Sequence, residues 1–330
     1  MSEKAFSAHV LKMDCAAEAD RICRHIRDAL RTDLKRQGLV VGVSGGIDST
    51  TVAALCTAAV GKDRVFALHM PERDSSPETL RLSRSVTDHL GIDSAVEVIT
   101  PILQAVRCYE RQADAVREVL PEYGDGWTFK IVLPSVIADD SFRVFSIVAR
   151  RPDGKEIKTR LNPKAYLGIV AATNFKQRIR KMLEYHYADR LNYAVAGTPN
   201  RLEYDQGFFV KLGDGAADIK PIAHLYKSQV YAMAAHLGVP GEILKRPPTT
   251  DTYSMPQSQE EFYFSLPYDK MDLCLYGKNN GFTPEQVAPA VGLTAEQVQR
   301  VYNDIDQKRK TTRYLHLKPL LIEELSEISA

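Results

Sequence analysis

The chain has 330 residues, with 43 Lys plus Arg balanced by 42 Asp plus Glu. This length buries a large core as one domain or two, and the balance excludes an overall field pulling the chain toward nucleic acid or a membrane. Five cysteines (Cys15, Cys23, Cys56, Cys108, Cys274) show neither Cys-x-x-Cys nor zinc spacing, and neither a signal peptide nor a bilayer-length apolar run is present. These features predict a soluble cytoplasmic protein.

Ile22, Ile26, Leu30 and Leu34 recur every four residues and predict an amphipathic helix stopped at Gly38. A β-branched strand over 39–43 follows, and a helix over 49–60 starts almost at once. Between them lie Gly42, Val43, Ser44, Gly45, Gly46, Ile47, Asp48 and Ser49. That order leaves unpaired amides and small hydroxyls at the mouth of a helix, where the dipole favours an anion. Glycines let the backbone approach closely and adopt left-handed angles. Asp48 supplies a carboxylate suited to Mg²⁺ beside bound phosphates. Walker-type Gly-x4-Gly-Lys is absent. Gly42 to Gly46 also fit the G-x-S-x-G nucleophile elbow, but an elbow normally follows several strands and leaves Asp48-Ser49 without a purpose. A plain structural glycine turn is the other alternative.

Downstream, the pattern predicts a strand over 64–70 and a helix over 77–90 capped by Ser76 with Pro77 first. A strand over 95–99 and a helical stretch over 101–120 come next. Alternating βα units imply a parallel sheet with helices on both faces, ligands lying beyond the carboxyl ends of the strands, near Ser44 and Met70. The rhythm breaks over 121–165, where strands over 142–150 and 155–161 flank the turn Pro152-Asp153-Gly154. This block reads as an inserted lobe. Then follow a helix over 175–190, a strand over 193–197, a polar glycine-rich loop to Asp218 and a helix over 227–237. Helices over 284–291, 295–308 and 320–328 complete the chain.

The loop Ser-Gly-Gly-x-Asp-Ser resembles that of the N-type ATP pyrophosphatases, which cleave ATP between the α and β phosphates. Four further segments narrow the resemblance: 174–182 (Asn-Phe-Lys-Gln-Arg-Ile-Arg-Lys-Met), 197–203 (Gly-Thr-Pro-Asn-Arg-Leu-Glu), 211–221 (Lys-Leu-Gly-Asp-Gly through Pro221) and 245–251 (Lys-Arg-Pro-Pro-Thr-Thr-Asp). In this order they are similar to the motifs of the NAD synthetase family, with one residue too many before Met182. The resemblance implies an α/β fold, a doubly wound parallel sheet of the adenine nucleotide alpha-hydrolase type, here with a hairpin-containing insert and a helical C-terminus in a single domain over 1–330. It implies ATP-dependent amidation of deamido-NAD by ammonia through an acyl-adenylate. Ser44 to Ser49 would cradle the pyrophosphate, Asp48 with Glu203 would ligate Mg²⁺, and Thr198, Lys227 and Thr249 would contact ATP. Arg178, Lys211, Asp218 and Lys308 would hold deamido-NAD. A homodimer is implied too, using free ammonia or a separate glutaminase, since no room remains for a fused one.

Plainer roles exist for several of these residues. Arg178 lies in a basic run with Lys176, Arg180 and Lys181 that suits a solvated face, and Glu203, Lys211 and Asp218 suit ordinary ion pairs. Lys227 opens a helix, against the dipole, a conflict that a bound phosphate would relieve. The stretch after Thr249 (252–261) is less acidic and richer in amides than the family's closing segment, and the family's His-Lys pair is Gln307-Lys308. These departures leave a paralogue that adenylates and amidates or thiolates another substrate as the alternative. Residues 283–305 mimic a helix-turn-helix, but Glu296 would face DNA phosphates, so nucleic acid is not expected.

Overall fold

The computed structural model describes residues 6–136, 144–247, 252–264, 266–323 and 325. Helix α1 (Cys15–Thr32) is capped by Asp14 and leads into β1 (Leu39–Gly42), α2 (Ile47–Val60), β2 (Val65–His69), α3 (Pro77–Leu90) and β3 (Asp93–Val96). Two short helices, α4 (Thr100–Ala105) and α5 (Cys108–Arg117), replace the single one expected over 101–120. They part at Arg107, whose φ of 55° lies in the left-handed region. After β4 (Thr128–Val132), β5 (Ser146–Arg150) and β6 (Glu156–Arg160) comes the 29-residue α6 (Pro163–Leu191). It starts earlier than residue 175 because Asn162 caps it and Pro163 takes its first position.

Next are β7 (Ala194–Ala196), α7 (Arg201–Gln206), α8 (Lys227–His236) and α9 (Gly241–Lys245). Helices α10 (Tyr268–Asn279), α11 (Pro284–Val291) and α12 (Ala295–Thr312) pack together around Met271, Val287 and Val301. The helix expected over 320–328 is not found: residues 320–323 carry none and expose Leu320, Leu321 and Ile322, and 324 and 326–330 lie outside the described residues. Leu320, Leu321 and Ile322 find no face to bury against, and so no reason to coil.

The main sheet is parallel, in the order β3-β2-β1-β7. Alternation divides its strands between two faces. Leu39, Val41, Val65 and Ala67 pack with α1, α2 and α8, while Val40, Leu68 and Val195 pack with Tyr187 and Ala188 of α6. This is the doubly wound arrangement expected. The chain runs from β1 outward to β2 and β3, then returns to β7 on the other side of β1. Reversal of strand order at β1 opens a crevice beyond its carboxyl end. The strand expected over 95–99 is displaced to Asp93–Val96, since this edge strand pairs Asp93 to Val96 with Phe66 to His69. A second, antiparallel sheet in the order β4-β5-β6 packs on α5 and the start of α6 through Phe129, Ile131, Ile147 and Ile169. Among the described residues, no helix is long and apolar enough to cross a membrane.

Candidate active site

A cleft of about 1300 Å³ lies over the carboxyl ends of β1, β2 and β7. Gly42, Val43, Ser44, Gly46, Ile47, Asp48 and Ser49 line it, as does Met70. Gly45 supports the loop from behind: its φ is +72°, and a Cβ there would meet Leu82 Cβ at 2.7 Å and the Ser83 nitrogen at 2.9 Å. Ser49 Oγ accepts from the Ser44 amide (3.2 Å) and donates to the Gly46 carbonyl (3.1 Å). Ser44 Oγ lies 3.2 Å from Ser49 Oγ and accepts from the Gly46 amide at 3.3 Å. Gly46 caps α2 without a side chain, so the first-turn amides, which no helical carbonyl satisfies, border the cleft. Among the described residues no histidine bonds Ser44, so the loop lacks the wiring of a nucleophile elbow.

Asp48 is the hub of the polar network. Its Oδ2 is paired with the buried ammonium of Lys227, and its Oδ1 accepts from Asn200 Nδ2 at 3.0 Å. Asn200 also builds a capping box on α7. Its amide donates to Glu203 Oε2, and its Oδ1 accepts from the Glu203 amide, both at 3.2 Å. One side chain thereby sets Asp48 and Glu203 against the same opening. Gln259 Nε2 donates to the other Glu203 oxygen at 2.9 Å. Burial first, and then the Asp48 charge, push the Glu203 carboxyl up to about 7. Burial works against the Lys227 ammonium, but Asp48 and Glu203 outweigh it and hold its pKa above the ordinary value.

The conflict expected at the start of α8 is resolved within the protein, without recourse to phosphate. Asp48 neutralises Lys227, and Asp272 accepts from the Lys227 amide (3.1 Å) and the Ser228 amide (2.7 Å). Asp272 is fully buried, which raises its carboxyl to about 6.

Of the residues tied to the dinucleotide by resemblance, Arg178, Lys211 and Lys308 line the cleft with Thr198, whereas Asp218 does not. Asp218 accepts from the Val195 amide (2.7 Å) and the Tyr185 hydroxyl (3.2 Å), at the edge of the main sheet. Arg178 Nε donates to the Lys211 carbonyl at 3.3 Å. The Lys211 ammonium donates to the Tyr314 and Leu317 carbonyls (2.7 and 3.2 Å), and Lys308 donates to the Tyr263 carbonyl at 2.8 Å. Thr249 lies outside the described residues.

Sequence reasoning passed over Asn200, Gln259, Asp272 and a buried Lys181–Glu184 pair on the cleft floor (2.5 Å). Asn200 was findable, because Asn-x-x-Glu is a capping-box signature. The i, i+3 spacing of Lys181 and Glu184 was a weaker cue. Nothing local marks Gln259 or Asp272.

Residues 18–120 and 153–314 match the NAD synthase family. The chain is 59% identical over 323 residues to the NH(3)-dependent NAD(+) synthetase of Rhizobium meliloti, covering 98% of this chain and 96% of that protein. It is 38% identical over 239 residues to the enzyme of that name from Thermotoga maritima, covering 72% and 79%. Among solved structures, NMN synthetase from Francisella tularensis superposes with a TM-score of 0.64 at 22% identity, covering 94% of this chain and all of that one. The NH3-dependent NAD synthetase from Campylobacter jejuni gives 0.61 at 23% identity, with the same coverage. Both likenesses concern the fold. The sequence matches and the loop–carboxylate geometry together make this chain a member of the NAD synthase family.

Proposed function

We infer that this protein catalyses the ATP-dependent amidation of deamido-NAD by ammonia, yielding NAD, AMP and pyrophosphate. The observation that carries the reading is the Ser44–Ser49 loop opening on a cleft where Asp48, Glu203 and Lys227 converge. The deamido-NAD carboxylate attacks the α-phosphorus of ATP, and pyrophosphate leaves. Ammonia then attacks the acyl carbon of the adenylate, AMP departs, and the amine sheds a proton.

Little covalent work falls to the protein, so positioning and charge do most of it. The loop of residues 44–49 receives the departing diphosphate at the first-turn amides of α2, and Lys227 offsets its charge from the start of α8. Ser44 is a ligand of phosphate rather than a nucleophile. Asp48 and Glu203 fit Mg²⁺: both are hard oxygen donors, and the charged form of Glu203, disfavoured by burial and then by the Asp48 charge, would gain from a cation between them. Phosphate oxygens and water would supply the rest of its ligands. Bound there, Mg²⁺ would stabilise charge on the leaving group.

Thr198 and Thr249 contact ATP in this reading. Arg178, Lys211 and Lys308 offer cations to the dinucleotide phosphates, while Asp218 stays at the sheet edge, outside the cleft. We assign free ammonia as the nitrogen donor, with a separate glutaminase as the alternative supply. We also assign a homodimer and a cytoplasmic location, where five unpaired cysteines suit the reducing environment. Pyrophosphate release with deamido-NAD and ammonia, compared between wild type and Asp48→Ala, tests the assignment. Turnover lost in the variant is expected; no turnover of deamido-NAD by wild type overturns it.

A further inference from the structure

Strand β4 lies at the edge of its sheet, hydrogen-bonded to β5 on one side only. An open edge is a template for another stretch of chain. Here residues 253–261 use it. The Phe129 amide donates to Ser254 Oγ (2.9 Å), the Met255 amide to the Phe129 carbonyl (3.1 Å) and the Leu133 amide to the Glu261 carbonyl (3.3 Å). Gln257 Nε2 donates to the Ile131 carbonyl, and Lys130 pairs with Glu261 at 2.6 Å. Tyr253 packs against Phe129 and Phe262, with ring centres 5.3 and 5.5 Å away.

Both ends of this strap are pinned as well. The buried Lys176 ammonium donates to the Thr252 carbonyl at 3.1 Å while paired with Glu72 and Asp74. At the other end the Tyr263 carbonyl accepts from Lys308, and its hydroxyl donates to the Gln206 carbonyl at 2.7 Å. Between these anchors, Gln259 turns into the cleft and donates to Glu203 Oε1. The family match leaves out residues 121–152, which contain β4 and β5 entire.

We propose that the edge of the three-stranded sheet, two strands of which (β4 and β5) lie outside the family match, is a fixed docking edge for residues 252–264, and that the docked strap makes Gln259 a positioning residue for Glu203. The proposal rests on the reading of Asp48 and Glu203 as the Mg²⁺ ligands. A donor that fixes one oxygen of a ligating carboxylate selects which oxygen meets the cation. The β4 edge therefore sets, from outside the cleft, how tightly Mg·ATP is held.

The test uses the full-length enzyme, two variants and a third as control. Lys130→Ala with Ser254→Ala weakens the edge at side chains that do not line the cleft, and Gln259→Leu removes the donor itself. Amide hydrogen exchange over 252–264 and the Mg²⁺ dependence of pyrophosphate release are measured in parallel. The edge variant is expected to exchange faster over the strap, with β5–β6 still protected. Both variants should need about tenfold more Mg²⁺ for half-maximal rate, with turnover recovered at saturating Mg²⁺. Unchanged exchange in the edge variant, or faster exchange with a wild-type Mg²⁺ dependence, overturns the proposal and leaves the metal reading standing. Glu203→Gln serves as the control: if it leaves the Mg²⁺ dependence unaltered, the metal reading falls and the proposal with it.

Discussion

Lys227 reaches back 179 residues along the chain to set its ammonium on Asp48, the acid of the loop after β1. The pair binds α8 to α2 at the cleft, and it places a buried positive charge where, in the proposed reading, the polyphosphate arrives.

Lys227→Met is therefore expected to lower kcat/KM for ATP by about 10²-fold or more, the usual scale for losing one preorganised charge donor. Initial-rate measurements of pyrophosphate release check this. The variant should also melt at a lower temperature, because Asp48 is left without its counter-charge.

Gly45→Ala should damage both stability and nucleotide binding. An alanine would have to hold φ near +72° with its Cβ pressed on Leu82 and Ser83. Strain of about 1–3 kcal/mol is expected, read as a fall in melting temperature. Mg·ATP should also lose most of the thermal shift it gives wild type. A fully retained ligand-induced shift would contradict the role given to the loop.

Chelation should abolish turnover, and added Mg²⁺ should restore it. Asp48→Asn and Glu203→Gln are each expected to reduce the rate at fixed Mg²⁺ on the order of 10²-fold. A coupled pyrophosphate assay over a Mg²⁺ titration measures both.

Asp272 gives the fold a pH dependence. Its carboxyl is raised by burial from 3.8 to about 6, so the folded state favours the protonated form. The resulting stability is fully present below about pH 4 and is lost as pH rises through about 6, an effect of roughly 3 kcal/mol at most. Urea unfolding of wild type and Asp272→Asn at pH 4, 5 and 7 should show the gap between them narrowing as pH rises. A gap that widens would refute the assignment.

Lys211→Met should raise KM for deamido-NAD about tenfold, the scale of one charge-assisted contact, and leave KM for ATP near wild type. Steady-state kinetics with each substrate varied in turn separates the two.

Much of the fold was legible because its signals are local. Ser76 with Pro77 set the start of α3, Thr283 with Pro284 set that of α11, and both helices end where expected. The loop of residues 42–49 was readable for the same reason, since its glycines, hydroxyls and acid serve one short turn. Strand β4 escaped notice because Thr128–Val132 is brief and its identity depends on β5 and residues 253–261, both distant in sequence. Similarly, Asp272 matters only because α10 packs against the start of α8. Residue types marked the turn after β1; tertiary placement alone marked what braces the acids around it.

Helix α12 grips α7, the short helix that bears Glu203. Arg309 holds Asp205 with two bonds (2.6 and 2.8 Å), and a Cβ on Gly207 would lie 2.3 Å from Thr312 Cβ. A nascent chain still on the ribosome, with its first 290 or so residues emerged, would own the phosphate loop yet lack this grip. Truncations that remove α12 therefore strike at the support of the helix bearing Glu203 rather than at the margin of the molecule.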